Sequence, residues 1–358
     1  MLTRNPGTAP APAAEGGTMP ATTRFSAYLV TRDGKGACQG GVRTDLALDQ
    51  LPPGELLIRV EYSSINYKDA LSATGHPGVT RTYPHIPGID AAGTVVSSES
   101  PRFAAGDPVI VTGYRLGMDH WGGFAQYVRV PADWAVPRPA GLSAEESMRL
   151  GTAGFTAALC VDAVLSRERR GAGPVLVTGA TGGVAMVAIA LLARLGVPVT
   201  ALTRKQGAVR GRLRQLGAGE VIAPEELEQG DKPLLKERWS GVVDTIGGPL
   251  LEHLLKTTGA GGAVAACGMA AGTQFSTTVY PFILRGITLA GIDSAQTPMP
   301  QRTRIWNLLA DDWRPDLERI CTEVTLEGIT GAVRELLAGT HVGRTVVRLQ
   351  AGREGTLH

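Results

Sequence analysis

The stretch from Pro174 to Gly196 reads PVLVTGATGGVAMVAIALLARLG and places a short apolar strand, a glycine-rich turn and a helical run in direct succession. Gly179, Gly182 and Ala185 follow the strand at the spacing G-x-x-G-x-x-A. Glycine lets the backbone approach a pyrophosphate, and the N–H groups and dipole of the next helix favour its negative charge. The stretch therefore predicts a dinucleotide-binding turn, against the alternative of a plain loop in an α/β fold. The cofactor-binding residues predicted here are Thr181, Gly182, Gly183 and Val184.

The segments around this stretch predict an α/β fold. Six apolar segments alternate with helical stretches after Gly151, which is typical of βαβ units and a doubly wound parallel sheet. From Phe25 to about Leu150 the chain is punctuated by Gly and Pro and is predicted to be mainly β. RTVVRL, at 344–349, is predicted to be a closing strand that returns to this first domain. The six predicted strands of the parallel sheet are 174–178, 198–202, 220–222, 241–246, 263–267 and 288–292.

Composition limits the class of protein. The chain has 358 residues, so we expect two domains. Its formal net charge is +2 and its Lys and Arg residues are dispersed, so we expect no nucleic-acid partner. Residues 1–23 lack the apolar run of a signal peptide and are predicted to be a flexible tail. The four cysteines form no CxxC pair, which favours free thiols. We find no uninterrupted apolar run long enough to span a bilayer, so a cytoplasmic protein with no membrane partner is expected.

The end of the second predicted strand indicates which dinucleotide binds. An Asp or Glu roughly 20 residues beyond the glycines would accept a hydrogen bond from the ribose hydroxyl of NAD. Here the sequence reads Thr203-Arg204-Lys205, with two cations and no carboxylate. These cations suit the 2′-phosphate of NADPH, although a solvated strand end is the alternative. We therefore expect NADPH as the cofactor.

Cys267 and Gly268 end the fifth predicted strand, and ligands of such sheets lie at the carboxyl ends of strands. Cys267 has no His nearby in the sequence to activate it, so we expect its backbone and that of Gly268 to contact the cofactor. The histidines show no metal-ligand spacing.

Several blocks together resemble the zinc-independent medium-chain dehydrogenase/reductase superfamily, and within it the quinone-oxidoreductase-like group that includes acryloyl-CoA reductase. The resemblance spans nearly the whole chain after the tail. The blocks that carry it are SSINYKDAL (63–71), PHIPGIDAAGTVV (84–96), GTAGFTAAL (151–159), VTGATGGV (177–184), VDTIGG (243–248), AACG (265–268) and PFILRGITLAGIDS (281–294).

This resemblance implies a GroES-like catalytic domain from 24–148 and 296–350, a Rossmann NADPH-binding domain from 149–295, and an active-site cleft between them. It also implies a homodimer, because dimers are usual in the superfamily. Zinc-dependent relatives carry a Cys early in the first domain and a Gly-His-Glu block. This chain has Asn66-Tyr67-Lys68-Asp69 and Gly88-Ile89-Asp90 instead, so no metal site is expected.

Without a Lewis acid, the acceptor must already be activated, as an α,β-unsaturated thioester or a quinone is. We expect reduction of acryloyl-CoA or another short enoyl-CoA, with a quinone reductase or an NADPH-binding protein without turnover as alternatives. Tyr67 is the predicted catalytic residue beside the nicotinamide, and Asn66 is predicted to orient it. The alternative reading makes Asn66 and Asp69 helix caps and Tyr67 a packed side chain. The resemblance also places Ile292, Ser294 and Arg344 near the cofactor or the cleft.

Overall fold

The computed structural model describes residues 20–167, 170–171, 173–227 and 230–349. Its strands are β1 (Arg24–Arg32), β2 (Cys38–Ala47), β3 (Leu56–Ile65), β4 (Asp90–Ser98), β5 (Pro108–Thr112), β6 (Tyr127–Val130), β7 (Ala135–Pro137), β8 (Val175–Val177), β9 (Val199–Leu202), β10 (Glu220–Ile222), β11 (Gly241–Asp244), β12 (Ala263–Ala266), β13 (Thr288–Gly291), β14 (Cys321–Val324) and β15 (Arg344–Arg348). Its helices are α1 (Tyr67–Ala73), α2 (Ala144–Leu165), α3 (Gly183–Arg194), α4 (Ala208–Gln215), α5 (Pro249–Thr257), α6 (Tyr280–Arg285), α7 (Met299–Ala310) and α8 (Ile329–Leu337).

The six strands predicted for the parallel sheet form one sheet in the order β10-β9-β8-β11-β12-β13. Every neighbouring pair is parallel. β8, β9 and β11 are buried along their whole length, which explains why they read as continuous apolar runs. The strand order reverses between β8 and β11, and α3 leaves the sheet at this switch point. The doubly wound Rossmann sheet predicted from the sequence is confirmed.

The second sheet has seven strands, in the order β14-β15-β3-β4-β5-β7, with β6 also paired to β3. The C-terminal strand β15 returns to this sheet and pairs antiparallel with β3, placing Thr345 opposite Ile65. This confirms the predicted closing strand. A separate hairpin of β1 and β2, which the sequence analysis did not predict, meets the rest at the bridges Ala27–Ala125 and Val30–His85.

Helix α2 packs against strands of both sheets, and it is kinked at Gly151, where β3 lies close to it. It begins with a capping box, in which Ser143 Oγ accepts from Glu146 N at 3.1 Å. Inside it, Gly151 has φ 53° and ψ −156°, and a Cβ there would lie 2.5 Å from Ser64 Oγ. The kink thus needs glycine, because it lets the helix approach β3.

Within the described residues, α2 is the one helix long and apolar enough to cross a membrane by length and composition. Its sequence does not read as one uninterrupted apolar run, because Arg149 and Gly151 interrupt it. In the structure 72% of its apolar window is buried inside the protein, as in the core helix of a globular protein.

The two predicted domain segments contain the two sheets separately. The mixed sheet takes its strands from 56–137 and 321–348, and the parallel sheet from 175–291. The boundaries themselves stay predictions. Residues 1–19 of the predicted tail lie outside the described residues. Residue 350 of the predicted catalytic domain also lies outside them.

Candidate active site

The glycine turn at the end of β8 has a backbone that side chains would obstruct. Gly179 has φ +59°, and a Cβ on it would lie 2.4 Å from Thr245 Oγ1. Gly182 is the N-cap of α3 and supplies no side-chain cap, so the first-turn N–H groups of this helix are open to an anionic ligand. A Cβ on Gly183 would lie 2.9 Å from Arg344 Cδ. The turn therefore has the shape that a dinucleotide phosphate requires.

A buried hydrogen-bond network fixes the two strand ends beside this turn. The Asp244 carboxylate, at the end of β11, accepts from Thr178 Oγ1 at 2.7 Å and from Gly247 N at 2.9 Å. Thr245 Oγ1 donates to the Thr178 carbonyl at 2.9 Å. These contacts hold the ends of β8 and β11 together, on either side of the switch point.

The two cations predicted to select NADPH have different surroundings. Lys205 Nζ donates to the carbonyls of His341 at 2.9 Å and Thr340 at 3.5 Å, and burial lowers the pKa of Lys205. Lys205 N also donates to Thr203 Oγ1 at 3.1 Å. Arg204 is exposed, and its guanidinium contacts no acceptor in the described part of the chain. Arg204 is thus the cation that is free to meet a phosphate.

The Asn66 side chain lies in a buried polar cluster and does not cap α1. Its Nδ2 donates to Asp90 Oδ2 at 2.7 Å. Asp90 also accepts from Ser64 Oγ at 2.6 Å, from Thr152 Oγ1 at 2.5 Å and from Thr152 N at 3.0 Å. Four donors thus surround a fully buried carboxylate, which ties β3, β4 and α2 together beside the first residue of α1.

Asp69 closes the start of α1, as the capping alternative expected of it. Asp69 Oδ2 accepts from Asn66 N at 2.7 Å, while Oδ1 accepts from Gly88 N at 3.0 Å and Ile89 N at 2.8 Å. Complete burial, with the charge of nearby Asp90, raises the pKa of Asp69 to about 7, although the three N–H donors oppose this. Asp69 is therefore a structural anchor between α1 and the 88–89 loop.

Arg344 is buried, and protein acceptors surround its guanidinium. It donates to Ser64 Oγ at 2.9 Å and to Asn66 Oδ1 at 3.2 Å. It also donates to the carbonyls of Ile65, Met148 and Arg149. Burial lowers the pKa of Arg344, and the nearby Asp90 opposes that shift. The structure thus places Arg344 against the phosphate turn through its methylene stem and turns its charge inward, toward the Asn66 cluster.

Tyr67 is the first residue of α1, and it is 58% exposed. No hydrogen-bond partner for its hydroxyl lies in the described part of the chain. The packed-side-chain alternative does not describe this residue. Its hydroxyl is available to a ligand, while Asn66 immediately before it is held rigidly by the polar cluster.

The strand-end residues predicted to contact the cofactor lie along the carboxyl edge of the parallel sheet. Cys267 N donates to the Asp244 carbonyl at 2.9 Å, and Gly268 packs so closely on Thr245 that a Cβ would overlap its carbonyl. Ile292 N donates to the Ala266 carbonyl at 3.0 Å. Ser294 Oγ accepts from Thr156 Oγ1 at 2.8 Å.

The Cys267 thiol lies beside the thiol of Cys160 and not beside a base that could activate it. Cys160 is fully buried, and hydrogen bonding to Cys267, together with burial, raises the pKa of Cys160. The Cys160 thiol therefore stays protonated and unreactive. Cys267 Sγ itself donates to the Asp244 carbonyl at 3.5 Å, and its backbone contact with the cofactor stays a prediction.

Arg302 is a residue at this site that the sequence analysis missed. This completely buried arginine of α7 donates to the Thr112 carbonyl at 2.8 Å and to the carbonyls of Ser294 at 3.0 Å and Ala295 at 3.1 Å. Its guanidinium carbon lies 4.6 Å from the ring centroid of Tyr114. Arg302 thereby links the end of β5 to the loop after β13. Residues 302, 305, 306 and 309 share one face of α7, and the other three are apolar. This helical spacing is the feature of the sequence from which the burial of Arg302 could have been predicted.

No group of three or more His, Cys, Asp or Glu side chains that could hold a metal ion occurs in the described ranges. Asp90, which stands where zinc-dependent relatives have the Glu of their Gly-His-Glu block, already accepts from four donors. Ile89, directly before Asp90, offers no metal ligand, and the absence of zinc stays a prediction.

Comparison with known proteins identifies the family. The profile of the alcohol dehydrogenase GroES-like domain matches residues 52–140, and that of the zinc-binding dehydrogenase matches 183–310. Quinone oxidoreductase YhfP of Bacillus subtilis is 47% identical over 85% of this chain and 93% of its own length. The chain belongs to the medium-chain dehydrogenase/reductase superfamily. Acrylyl-CoA reductase AcuI of Ruegeria pomeroyi is another superfamily relative, 44% identical over 91% of this chain and 100% of its own.

Solved structures of relatives share the whole fold. The yhdH oxidoreductase of Salmonella enterica, in complex with NADP, has 42% identity and a TM-score of 0.86 over 91% of this chain and 100% of its own. Bacillus subtilis yhfP, with NAD bound, has 45% identity and a TM-score of 0.88 over the same shares. The predicted superfamily, and the GroES-like plus Rossmann architecture, are confirmed.

Proposed function

We propose that this protein reduces the activated C=C bond of a short enoyl-CoA, acryloyl-CoA above all, to the saturated acyl-CoA at the expense of NADPH. The observation that carries the proposal is the 44% identity, over nearly the full length of both chains, with a relative named acrylyl-CoA reductase. The intact glycine turn and the open start of α3 support a working cofactor site.

NADPH suits the residues at the end of β9. The exposed and unpaired Arg204 is available for bidentate contact with a 2′-phosphate, and the Salmonella enterica relative was solved with NADP. No carboxylate stands at 203–205 to accept from the ribose hydroxyls of NAD. Lys205 contributes its charge nearby while it holds the 340–341 loop in place.

When bound, NADPH supplies a hydride, which the acceptor takes at its β-carbon. Negative charge then develops on the thioester oxygen, and the α-carbon takes a proton. Tyr67 is proposed as the catalytic residue, because its free hydroxyl can donate a hydrogen bond to this oxygen. Asn66 is proposed as a positioning residue, since Asp90 and Arg344 fix it directly before Tyr67. The conjugated acceptor needs no Lewis acid, so the reaction is proposed to proceed without zinc.

A quinone reductase is the second candidate, and the 47% identity with quinone oxidoreductase YhfP favours it. NADPH oxidation measured in parallel with acryloyl-CoA, crotonyl-CoA and a benzoquinone separates the candidates. We expect kcat/KM to be highest with acryloyl-CoA. Equal or faster turnover of the quinone would favour the second candidate. Tight NADPH binding with no turnover of any acceptor would indicate a binding protein instead.

We also infer a homodimer formed through the edge of the parallel sheet. β13 is the last strand of that sheet, and the segment 269–284, which precedes it in the chain, carries several exposed apolar side chains. Sedimentation should show that Ile283→Glu dissociates the dimer, while Leu337→Glu, at an exposed position of α8, leaves it intact. A wild-type monomer would refute the inference. The exposed apolar residues of this surface are Met269, Phe275, Val279, Tyr280, Ile283 and Leu284.

We propose a cytoplasmic location for this protein. All four cysteines are free, as expected in a reducing compartment. We also propose that α2 stays in the protein core and does not insert into a membrane, because most of its apolar window is already buried.

A further inference from the structure

A second cavity lies far from the glycine turn, between the C-terminal ends of α3 and α4 and the segment before β14. Its volume is about 380 Å³. Gly217, just after α4, has φ +115°, and a Cβ on it would lie 2.2 Å from Ala193 Cβ, so the two helix ends come close together. The apolar part of its lining is formed by Ala190, Ala193, Leu216 and Ile320.

Three arginines line this cavity, and none of them has an ion-pair or hydrogen-bond partner for its guanidinium in the described part of the chain. They are Arg194 of α3, Arg212 of α4, and Arg319. The cavity has one carboxylate, Asp316, whose Oδ1 accepts from Glu318 N at 3.1 Å. The three arginines outnumber the single carboxylate, so the lining has a net positive charge, and the cavity also has an apolar wall formed by alanine, leucine and isoleucine side chains.

A neighbouring cavity is also lined by arginines, but these arginines form ion pairs with glutamates. Arg149 there pairs with Glu145 at 2.6 Å, and Arg314 pairs with Glu146. Cations at a helix C-terminus are favoured by the helix dipole, which accounts for Arg194 and Arg212 singly. The dipole does not account for Arg319, or for the presence of three exposed and unpaired arginines around one cavity.

We propose that this cavity binds a small phosphate-bearing anion, at a site separate from the cofactor and the substrate. The planar fork of arginine matches phosphate oxygens, and three unpaired forks suit a multiply charged phosphoryl group better than a monoanion. Arg194 ends the helix whose first residue is Gly183, so about 16 Å of α3 separates the cavity from the phosphate turn. The cavity also lies at the amino edge of the sheet, opposite the cofactor edge.

Calorimetric titration of the NADPH-saturated protein with inorganic pyrophosphate tests this site without requiring turnover. We expect wild type to bind, and the double variant Arg194→Gln, Arg212→Gln to lose affinity by about tenfold or more, because charge-assisted hydrogen bonds are lost. Arg214→Gln is the matched control, since Arg214 is an exposed residue of α4 that does not line the cavity. The control should bind pyrophosphate as wild type does.

Three results would overturn the proposal. The first is the absence of pyrophosphate binding to wild type, and the second is an equal loss of affinity in Arg214→Gln. The third is a parallel loss of CoA affinity in the double variant, which would assign the arginines to the nucleotide end of the substrate. Unchanged CoA affinity supports a separate site. A failure of the proposed reductase activity would leave all of these binding measurements unaffected.

Discussion

Arg344 donates to Asn66 Oδ1 at 3.2 Å, while its stem lies against Gly183 at the start of α3. A residue of the C-terminal strand thus joins the first turn of α1 to the phosphate turn, although it is 278 positions from Asn66 in the chain. Two parts of the predicted site, Tyr67 and the glycine turn, are positioned by this one side chain.

Arg344→Met is expected to lower the free energy of unfolding by about 3–5 kcal/mol, because Asp90 would lose its compensating charge in a buried site. Arg348→Met, on the same strand, removes an exposed pair with Glu323 and should lower the free energy of unfolding far less than Arg344→Met does. Urea denaturation of the two variants measures both costs. Equal costs would show that the Arg344 cluster contributes no more than a surface ion pair does.

Arg204→Gln is expected to raise the KM for NADPH by roughly tenfold or more, through loss of a charge-assisted contact with the 2′-phosphate, and to leave the KM for NADH unchanged. Lys205→Met should have a smaller effect, because Lys205 Nζ already donates to the carbonyls of Thr340 and His341. Steady-state kinetics with NADPH and with NADH measures the KM values of both variants and shows which substitution has the larger effect. An unchanged preference in Arg204→Gln would remove Arg204 from the cofactor site.

Tyr67→Phe is expected to lower kcat by about tenfold or more, since a hydrogen bond to developing negative charge is lost. The thermal midpoint should stay within about 1 °C of wild type, because the exposed hydroxyl contacts no described residue. Tyr280→Phe, on the surface inferred for the homodimer, serves as the control and is expected to keep wild-type kinetics. Wild-type turnover in Tyr67→Phe would exclude this hydroxyl from catalysis.

Asp69 is expected to make stability depend on pH. Its pKa is about 7 in the folded protein, against an ordinary value of 3.8, so the folded state holds this proton more tightly than the unfolded state does. The resulting stabilisation is complete below about pH 4 and is lost as the pH rises to about 7, at no more than roughly 1.4 kcal/mol per pH unit.

Asp69→Asn cannot titrate, so its free energy of unfolding relative to wild type should rise across this window and level off above it. Denaturation at a series of pH values measures the difference. Asp133→Asn, at an exposed position, provides the control and should show no such trend. A difference between Asp69→Asn and wild type that does not vary with pH would contradict the raised pKa.

The elements that sequence predicted well are those with local signals. The six strands of the parallel sheet are short buried apolar runs between helices, and Gly179, Gly182 and Gly183 follow the first of them directly. The hairpin β1–β2 escaped prediction because much of β2 is exposed and lacks an apolar pattern. Its pairing depends on the partner strand and not on its own composition.

The parts of the site that sequence could not predict depend on side chains meeting across long stretches of chain. Lys205 contacts His341 across 136 positions, and Arg302 contacts Thr112 across 190. Neither pairing has a local spacing. The direction of the Asn66 side chain was also undetermined, because asparagine caps a helix as readily as it joins a buried cluster, and Asp90 decides between them.

The most direct test of the central claim uses NADPH deuterated at the transferred position of the nicotinamide, with acryloyl-CoA as acceptor. We expect propanoyl-CoA with deuterium at its β-carbon and a solvent proton at its α-carbon, as mass spectrometry and NMR would show. Propanoyl-CoA without deuterium at the β-carbon, or no propanoyl-CoA while NADPH is oxidised readily by a quinone, would contradict it.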